Sequence, residues 1–95
     1  MQPEYRIVQN IKKLIRVRGG WCVKIHGGPY QDAGTPDILA CYKGRFIAIE
    51  VKTSRGVARP EQKITQRTIT GSGGYSLITH LIGDVADVLD EIDKL

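Results

Sequence analysis

Two acids and a lysine draw notice through their spacing. Asp37 follows Gly34-Thr35-Pro36, and Glu50-Val51-Lys52 arrives thirteen residues further on. The stretches 37–42 and 45–51 between them are rich in Ile, Val, Phe and Tyr, with Lys43-Gly44 in the middle. Two strand-forming runs around a two-residue glycine turn predict a β-hairpin. With Lys43 and Gly44 as the turn, Tyr42 faces Arg45, Ile38 faces Ile49 and Asp37 faces Glu50. Opposed residues share a sheet face, with Cβ atoms roughly 4.5–5.5 Å apart. Lys52 shares that face with Glu50, because side chains alternate with a period of two. A four-residue turn over 42–45 keeps this register, whereas a three-residue turn or a bulge would spoil it.

Facing carboxylates repel, and like charges directly opposed destabilise a strand pair. A divalent cation offsets that repulsion, and two carboxylates with a few waters are a set Mg²⁺ accepts. The backbone carbonyl of Val51 is a natural further ligand. Lys52 is then placed to hold or deprotonate a water that attacks a phosphate, its own pKa lowered by the nearby cation. The metal would polarise the phosphoryl oxygen and stabilise the leaving group. The plainer alternative is a surface Glu–Lys pair beside an unrelated Asp at a strand start. Three such groups meeting by register, at the mouth of a Gly-Thr-Pro turn in a basic chain, favour the functional reading.

The elements that position these groups follow from periodicity. Ile7, Val8, Ile11, Leu14 and Ile15 recur at three- and four-residue steps, predicting a helix over about 3–18 that stops at Gly19-Gly20. Lys12, Lys13 and Arg16 point outward from it. Glu4 precedes Val8 by four residues, Ile11 by seven and Ile15 by eleven, which puts its carboxylate at the start of the apolar stripe. A first-turn acid can also simply complement the helix dipole. Residues 21–26 alternate Trp21, Val23 and Ile25 with Cys22, Lys24 and His26, as a strand does. The ten residues 27–36 form a loop long enough to mark a binding segment.

Beyond the hairpin, 54–59 is a polar connection, and Pro60 with Glu61 announces a helix to about Thr70. Ile64 and Ile69 are its only large apolar residues, so Gln62, Lys63, Gln66 and Arg67 are free to face a partner. The cluster Gly71-Ser72-Gly73-Gly74 ends it, Tyr75–Thr79 is a short strand, and Asp84–Asp93 is a helix on Val85, Val88, Leu89 and Ile92 with Asp84 as its cap. The order helix, three strands, helix, strand, helix implies an α/β fold with a mixed central sheet.

A chain of 95 residues makes one domain, residues 1–95. A hydrophobic fraction of 41% with 25% charged residues suits a soluble globular protein. No apolar run reaches the roughly 18 residues of a membrane span, and the polar start does not look like a signal peptide; a cytoplasmic protein is expected. The net charge of +4 is uneven: residues 1–79 carry 13 Lys/Arg against 5 acids, and residues 80–95 carry 1 Lys against 5 acids. A basic body suits a polyanion partner, though basic surface also confers solubility. Cys22 and Cys41 are expected to be two buried reduced thiols; with His26 and His80 they lack the paired spacing of a zinc site.

Gly34-Thr35-Pro36-Asp37 followed by Glu50-Val51-Lys52 after a short hairpin resembles the PD-(D/E)xK nuclease core, and within it the virus-type replication-repair nuclease family, VRR-NUC. The resemblance extends over nearly the whole chain, from an early helix acid to a glutamine in the helix after the motifs. It implies a restriction-endonuclease-like core in which Asp37 and Glu50 bind Mg²⁺ or Mn²⁺ and Lys52 serves the attacking water. Glu4 matches the helix acid that reaches the metal, often through water, and Gln62 matches the glutamine that supports the site.

Standalone members of that family resemble archaeal junction resolvases, which implies a homodimer acting on four-way DNA junctions. Two symmetric cuts need two active sites, so a dimer suits a chain with one. Trp21, Tyr30 and Gly71–Gly74 are candidate pairing surfaces. Arg55, Arg59, Lys63 and Arg67 are the first candidates for phosphate contacts, with Lys12, Lys13 and Arg16 as a second patch. Rival readings are a DNA-binding module that does not cut, a subunit that keeps the fold for dimerisation, and a nuclease with duplex or flap specificity. A non-cutting module has no need for Asp37, Glu50 and Lys52 together. No long recognition loop is evident, which favours selection by shape over sequence.

Overall fold

The computed structural model describes residues 3–53 and 57–95. Seven elements follow one another: α1 (Glu4–Val17), β1 (Trp21–Lys24), β2 (Ile38–Tyr42), β3 (Arg45–Val51), α2 (Pro60–Gly71), β4 (Tyr75–Thr79) and α3 (Ile82–Asp93). The four strands form one sheet in the order β1-β2-β3-β4. The first three pair antiparallel, and β4 lies parallel to β3 after the α2 crossover. The sheet is therefore mixed, as expected.

The hairpin has the expected register, with Tyr42 opposite Arg45 and Ile38 opposite Ile49. Its turn residues Lys43 and Gly44 have φ of 49° and 79°. Positive φ at both centres is the turn whose twist matches two antiparallel strands. Ladder pairing of β2 begins at Ile38, one residue after the expected start, although the Asp37 carbonyl still accepts the Ile25 N–H at 2.7 Å.

Side-chain alternation divides the sheet. Cys22, Ile38, Ala40, Tyr42, Ile47, Ile49 and Val51 are buried on one face with Ile7, Val8, Ile11 and Ile15 of α1 and Val85, Val88, Leu89 and Ile92 of α3. This one core carries most of the buried apolar surface, the main favourable term in folding. On the opposite face α2 packs over β3 and β4, where Ala48 and Glu50 are buried. Trp21 at 61% and Phe46 at 44% exposure remain open to solvent there. Cys22 is buried but Cys41, opposite Trp21, is exposed, which corrects the expectation of two buried thiols. The parity of β2 explains it: Ala40 and Tyr42 take the core side, so Cys41 must take the other.

The last helix starts two residues earlier than expected, and Leu81, not Asp84, is its N-cap. Asp84 lies within the first turn and accepts a hydrogen bond from Thr79 Oγ1 at 2.5 Å, tying β4 to α3. At the hairpin's turn end Asp93 gathers three partners: Tyr42 Oη at 2.7 Å, Arg18 Nη2 at 2.7 Å and Lys43 Nζ at 2.5 Å. Among the described residues no helix is long and apolar enough to cross a membrane.

Candidate active site

At the end of the sheet away from that turn, Asp37 and Glu50 meet. The Val51 N–H donates to Asp37 Oδ2 at 2.7 Å, locking the Asp37 side chain across the hairpin. Lys52 leaves β3 with its N–H donated to the Thr79 carbonyl at 2.9 Å. Its ammonium nitrogen lies 3.6 Å from Glu50 Oε2. The three groups expected to converge by register do so.

Glu50 is only 8% exposed, and its carboxyl lies beside that of Asp37. Burial first, then the adjacent Asp37 carboxyl and its charge, push the Glu50 carboxyl up to about 7; Lys52 pulls the other way. Two carboxyl groups hydrogen-bond to each other only if one holds a proton, and a cation between them serves the same end. Among the described residues no group of three or more His, Cys, Asp or Glu converges as a metal cage. What Asp37 and Glu50 offer is a two-carboxylate set completed by water and backbone oxygen. That composition fits Mg²⁺, which keeps several waters and takes one or two carboxylates.

A cavity of about 260 Å³ opens over this pair, lined by Asp37, Glu50, Gln62, Arg59, Lys24 and the loop from Gly27 to Pro36. The loop is seated by Gly34, buried with φ of 85°. A Cβ there would collide with the Glu61 carbonyl oxygen and approach Thr65 Oγ1 to 2.7 Å. Only glycine lets the backbone lie against the first turns of α2 in that conformation. Thr35 Oγ1 donates to the Asp32 carbonyl at 2.7 Å, closing the turn that delivers Pro36 and Asp37. Gln62 is buried at 5% exposure, and its Oε1 accepts the Arg59 N–H at 2.9 Å. It thus fixes the start of α2 at the cavity wall.

The remaining candidates fall in different places. Glu4 is exposed and does not line the Asp37–Glu50 cavity; it lines an adjoining one, with Lys24 as a shared wall. The helical stripe that buries Val8 and Ile11 reaches solvent at its first turn, so Glu4 stays outside the core. Arg59 is exposed at the cavity rim, its Nε 3.3 Å from Glu61 Oε1. Lys63 and Arg67 are exposed along α2. Lys12 is half-buried in the adjoining cavity, while Lys13 and Arg16 are exposed on α1, Arg16 Nη2 donating to the Cys22 carbonyl at 3.4 Å. Arg55 lies outside the described residues.

One site residue escaped the motif reading. Lys24 Nζ lies 3.6 Å from Asp37 Oδ1 and donates to the Ile25 carbonyl at 2.7 Å. The signal was latent in strand pairing, because Lys24 sits opposite Ile38, the neighbour of Asp37.

No family model and no curated protein matches the chain. Solved structures share its fold, two of them as follows. A VRR_NUC domain superposes with a TM-score of 0.75 at 20% identity, covering 92% of this chain and 94% of that one. Hjc of Archaeoglobus fulgidus, a Holliday junction resolvase from an archaeal hyperthermophile, superposes with a TM-score of 0.59 at 20% identity. That match covers 79% of this chain and 68% of the resolvase. The chain therefore has a VRR-NUC-like, restriction-endonuclease-like fold.

Proposed function

We propose that this chain is an Mg²⁺- or Mn²⁺-dependent endodeoxyribonuclease of the VRR-NUC kind that hydrolyses phosphodiester bonds in branched DNA as a homodimer. The observation that carries the reading is the half-buried Asp37 beside the buried Glu50 at the floor of a cavity edged by Lys24 and Arg59, with Lys52 Nζ 3.6 Å from Glu50. A scaffold gains nothing from two facing carboxylates, since the pair costs stability unless a proton or a cation offsets it. The fold shared with a VRR_NUC domain and a Holliday junction resolvase supports the same chemistry.

Asp37 and Glu50 would hold the cation, with the Val51 carbonyl as a further oxygen and Glu4, across Lys24 in the adjoining cavity, as an outlying acid. When bound, the cation polarises the phosphoryl oxygen and acidifies water. Lys52 orients the attacking water as an ammonium donor, or takes its proton as the free amine. Gln62 holds the Arg59 backbone, and Arg59, Lys63 and Arg67 neutralise phosphates along the approach; Arg55 is a further candidate from the sequence alone. Lys12, Lys13 and Arg16 form a second basic flank. A junction presents two symmetric scissile strands, which one active site per chain serves through a two-fold dimer.

The experiment is cleavage of a four-way junction beside linear duplex, flap and single-stranded DNA, in Mg²⁺, Mn²⁺ and EDTA. Metal-dependent cutting confined to the junction is expected. Cutting of every substrate would keep the nuclease and remove the junction preference. Tight binding without cutting would hand the chain to the non-catalytic DNA-binding class.

A further inference from the structure

A second cavity, of about 340 Å³, lies between the first turns of α1 and the end of β1. Its lining is Glu4, Tyr5, Val8, Gln9, Lys12, Lys24 and His26. The size falls at the lower end of the range for small-molecule pockets, roughly 300–1,000 Å³. Tyr5 is 75% exposed on its edge, and the floor is the buried Val8. Lys24 also lines the cavity over Asp37 and Glu50, so the two hollows share a wall made of one cationic side chain. His26 continues the track into the loop, where it borders Tyr30, which is 98% exposed.

An aromatic ring over an apolar floor, flanked by amines, has the composition of a stacking platform for a base with phosphates on either side. Glu4 is the acid among the lining residues. Its charge disfavours a phosphate inside the hollow and leaves that role to Lys12 and Lys24 at the walls. The amide of Gln9 can donate to and accept from a base edge. Resting on the nuclease reading for the neighbouring site, we infer that this groove holds an unpaired DNA nucleotide next to the scissile phosphate. The base stacks on Tyr5, and its flanking phosphates lie on Lys12 and Lys24. Branched DNA offers such nucleotides where strands part, and a blunt duplex does not.

The test is fluorescence anisotropy in EDTA, which needs no cleavage and so stands apart from the nuclease reading. A labelled duplex carrying a three-nucleotide gap is compared with an intact duplex of the same length, using the full chain. The wild type is expected to prefer the gapped DNA. Tyr5→Ala is expected to weaken that binding by about tenfold, the scale of one lost base–aromatic stack, with intact-duplex binding unchanged. Tyr5→Phe keeps the ring and is expected to keep the preference. Lys12→Ala is expected to lower the salt dependence on gapped DNA by about one phosphate contact. In parallel, 5-iodouracil in the gap is expected to photocrosslink to the peptide containing Tyr5. No preference in the wild type, an equal loss by Tyr5→Ala on both DNAs, or crosslinks confined to α2 would each overturn the assignment. Loss of cleavage with the gap preference intact would instead count against the nuclease reading alone.

Discussion

Lys24 stands 3.6 Å from Asp37 through Nζ and Oδ1, so the carboxylate that opens the hairpin has an ammonium partner of its own. Lys52 is the same distance from Glu50. The site is thus a square of two acids and two amines, one corner of it, Lys24, drawn from β1. Lys24→Ala leaves Asp37 with less compensation, and both side chains are less than a third exposed. Without metal this costs about 1 kcal/mol, or a melting temperature lower by roughly 4–8 °C in a domain of this size. Saturating Mg²⁺ replaces the missing charge, so the deficit should shrink. Melting curves in EDTA and in Mg²⁺ check this; equal deficits in both would contradict the proposed cation position.

Glu50 sets a pH dependence of unusual sign for an acid. Its folded-state pKa of about 7 lies above its ordinary 4.5. Between those values the folded protein holds a proton that the unfolded chain has released, so metal-free stability falls as pH rises from 4.5 to 7. The full shift corresponds to at most roughly 3 kcal/mol. Asp37→Asn keeps an oxygen for the Val51 N–H and removes the charge facing Glu50. The variant should lose metal-dependent cleavage, match or slightly exceed the wild type in metal-free stability near pH 7, and show a flatter slope across that window. Urea midpoints at half-unit pH steps in EDTA measure it. A variant markedly less stable than the wild type at pH 7 would mean that the two carboxylates do not oppose each other.

Lys52→Ala removes an amine that is half-buried at the end of β3, while the backbone bond from its N–H to Thr79 remains. The variant is expected to fold, to bind DNA within a few-fold of the wild type, and to lose cleavage by about 10²–10⁴, the usual weight of a proton-transfer group. Single-turnover cleavage beside an anisotropy titration separates the two effects. Cleavage at the wild-type rate would remove Lys52 from the chemistry.

Gly34→Ala is expected to be the most damaging of the single-methyl changes near the site. The residue needs φ of 85°, and the added carbon would press on the Glu61 carbonyl and the Thr65 hydroxyl. The positive φ alone costs roughly 1–2 kcal/mol, and the collision adds a comparable amount. The loop must lift from α2, carrying Pro36 and Asp37 with it. Stability and cleavage should therefore fall together. A variant that cuts normally at an unchanged denaturation midpoint would show that the loop's seat on α2 is dispensable.

The hairpin and the triad it presents are legible in the sequence because a two-residue turn leaves one register, and that register places Asp37, Glu50 and Lys52 on one side. The α1 stripe is equally legible from its spacing. Lys24 is not, because its meeting with Asp37 depends on how β1 pairs with β2, and no turn links those strands to set the register. Glu4 shows the limit of periodicity, which gives a direction around a helix but not how far the core extends along it. Cys41 fails for a related reason: a hydrophobic residue in a strand is assigned to the core by composition, while parity assigns it to the open face. Gln62 is legible only through the resemblance, since its capping bond to Arg59 is a local contact with no periodic signature.

Asp93 anchors the opposite end of the hairpin and carries the last prediction. Hydrogen bonds from Lys43 and Tyr42 are the largest causes that lower its pKa to about 2 from an ordinary 3.8, with Arg18 adding to them. The folded state therefore releases this proton more readily than the unfolded chain. Its contribution to stability is present above pH 3.8 and is lost as pH falls toward 2. This slope is opposite to that of Glu50, so the contributions of these two groups to metal-free stability work against each other on either side of about pH 4. Asp93→Asn removes the lower slope and leaves the upper one intact, because the two acids sit at opposite ends of the hairpin and share no partner. Acid titration of thermal stability in the wild type and in Asp93→Asn checks this. A change in the slope between pH 4.5 and 7 in that variant would show that the two ends of the hairpin are coupled.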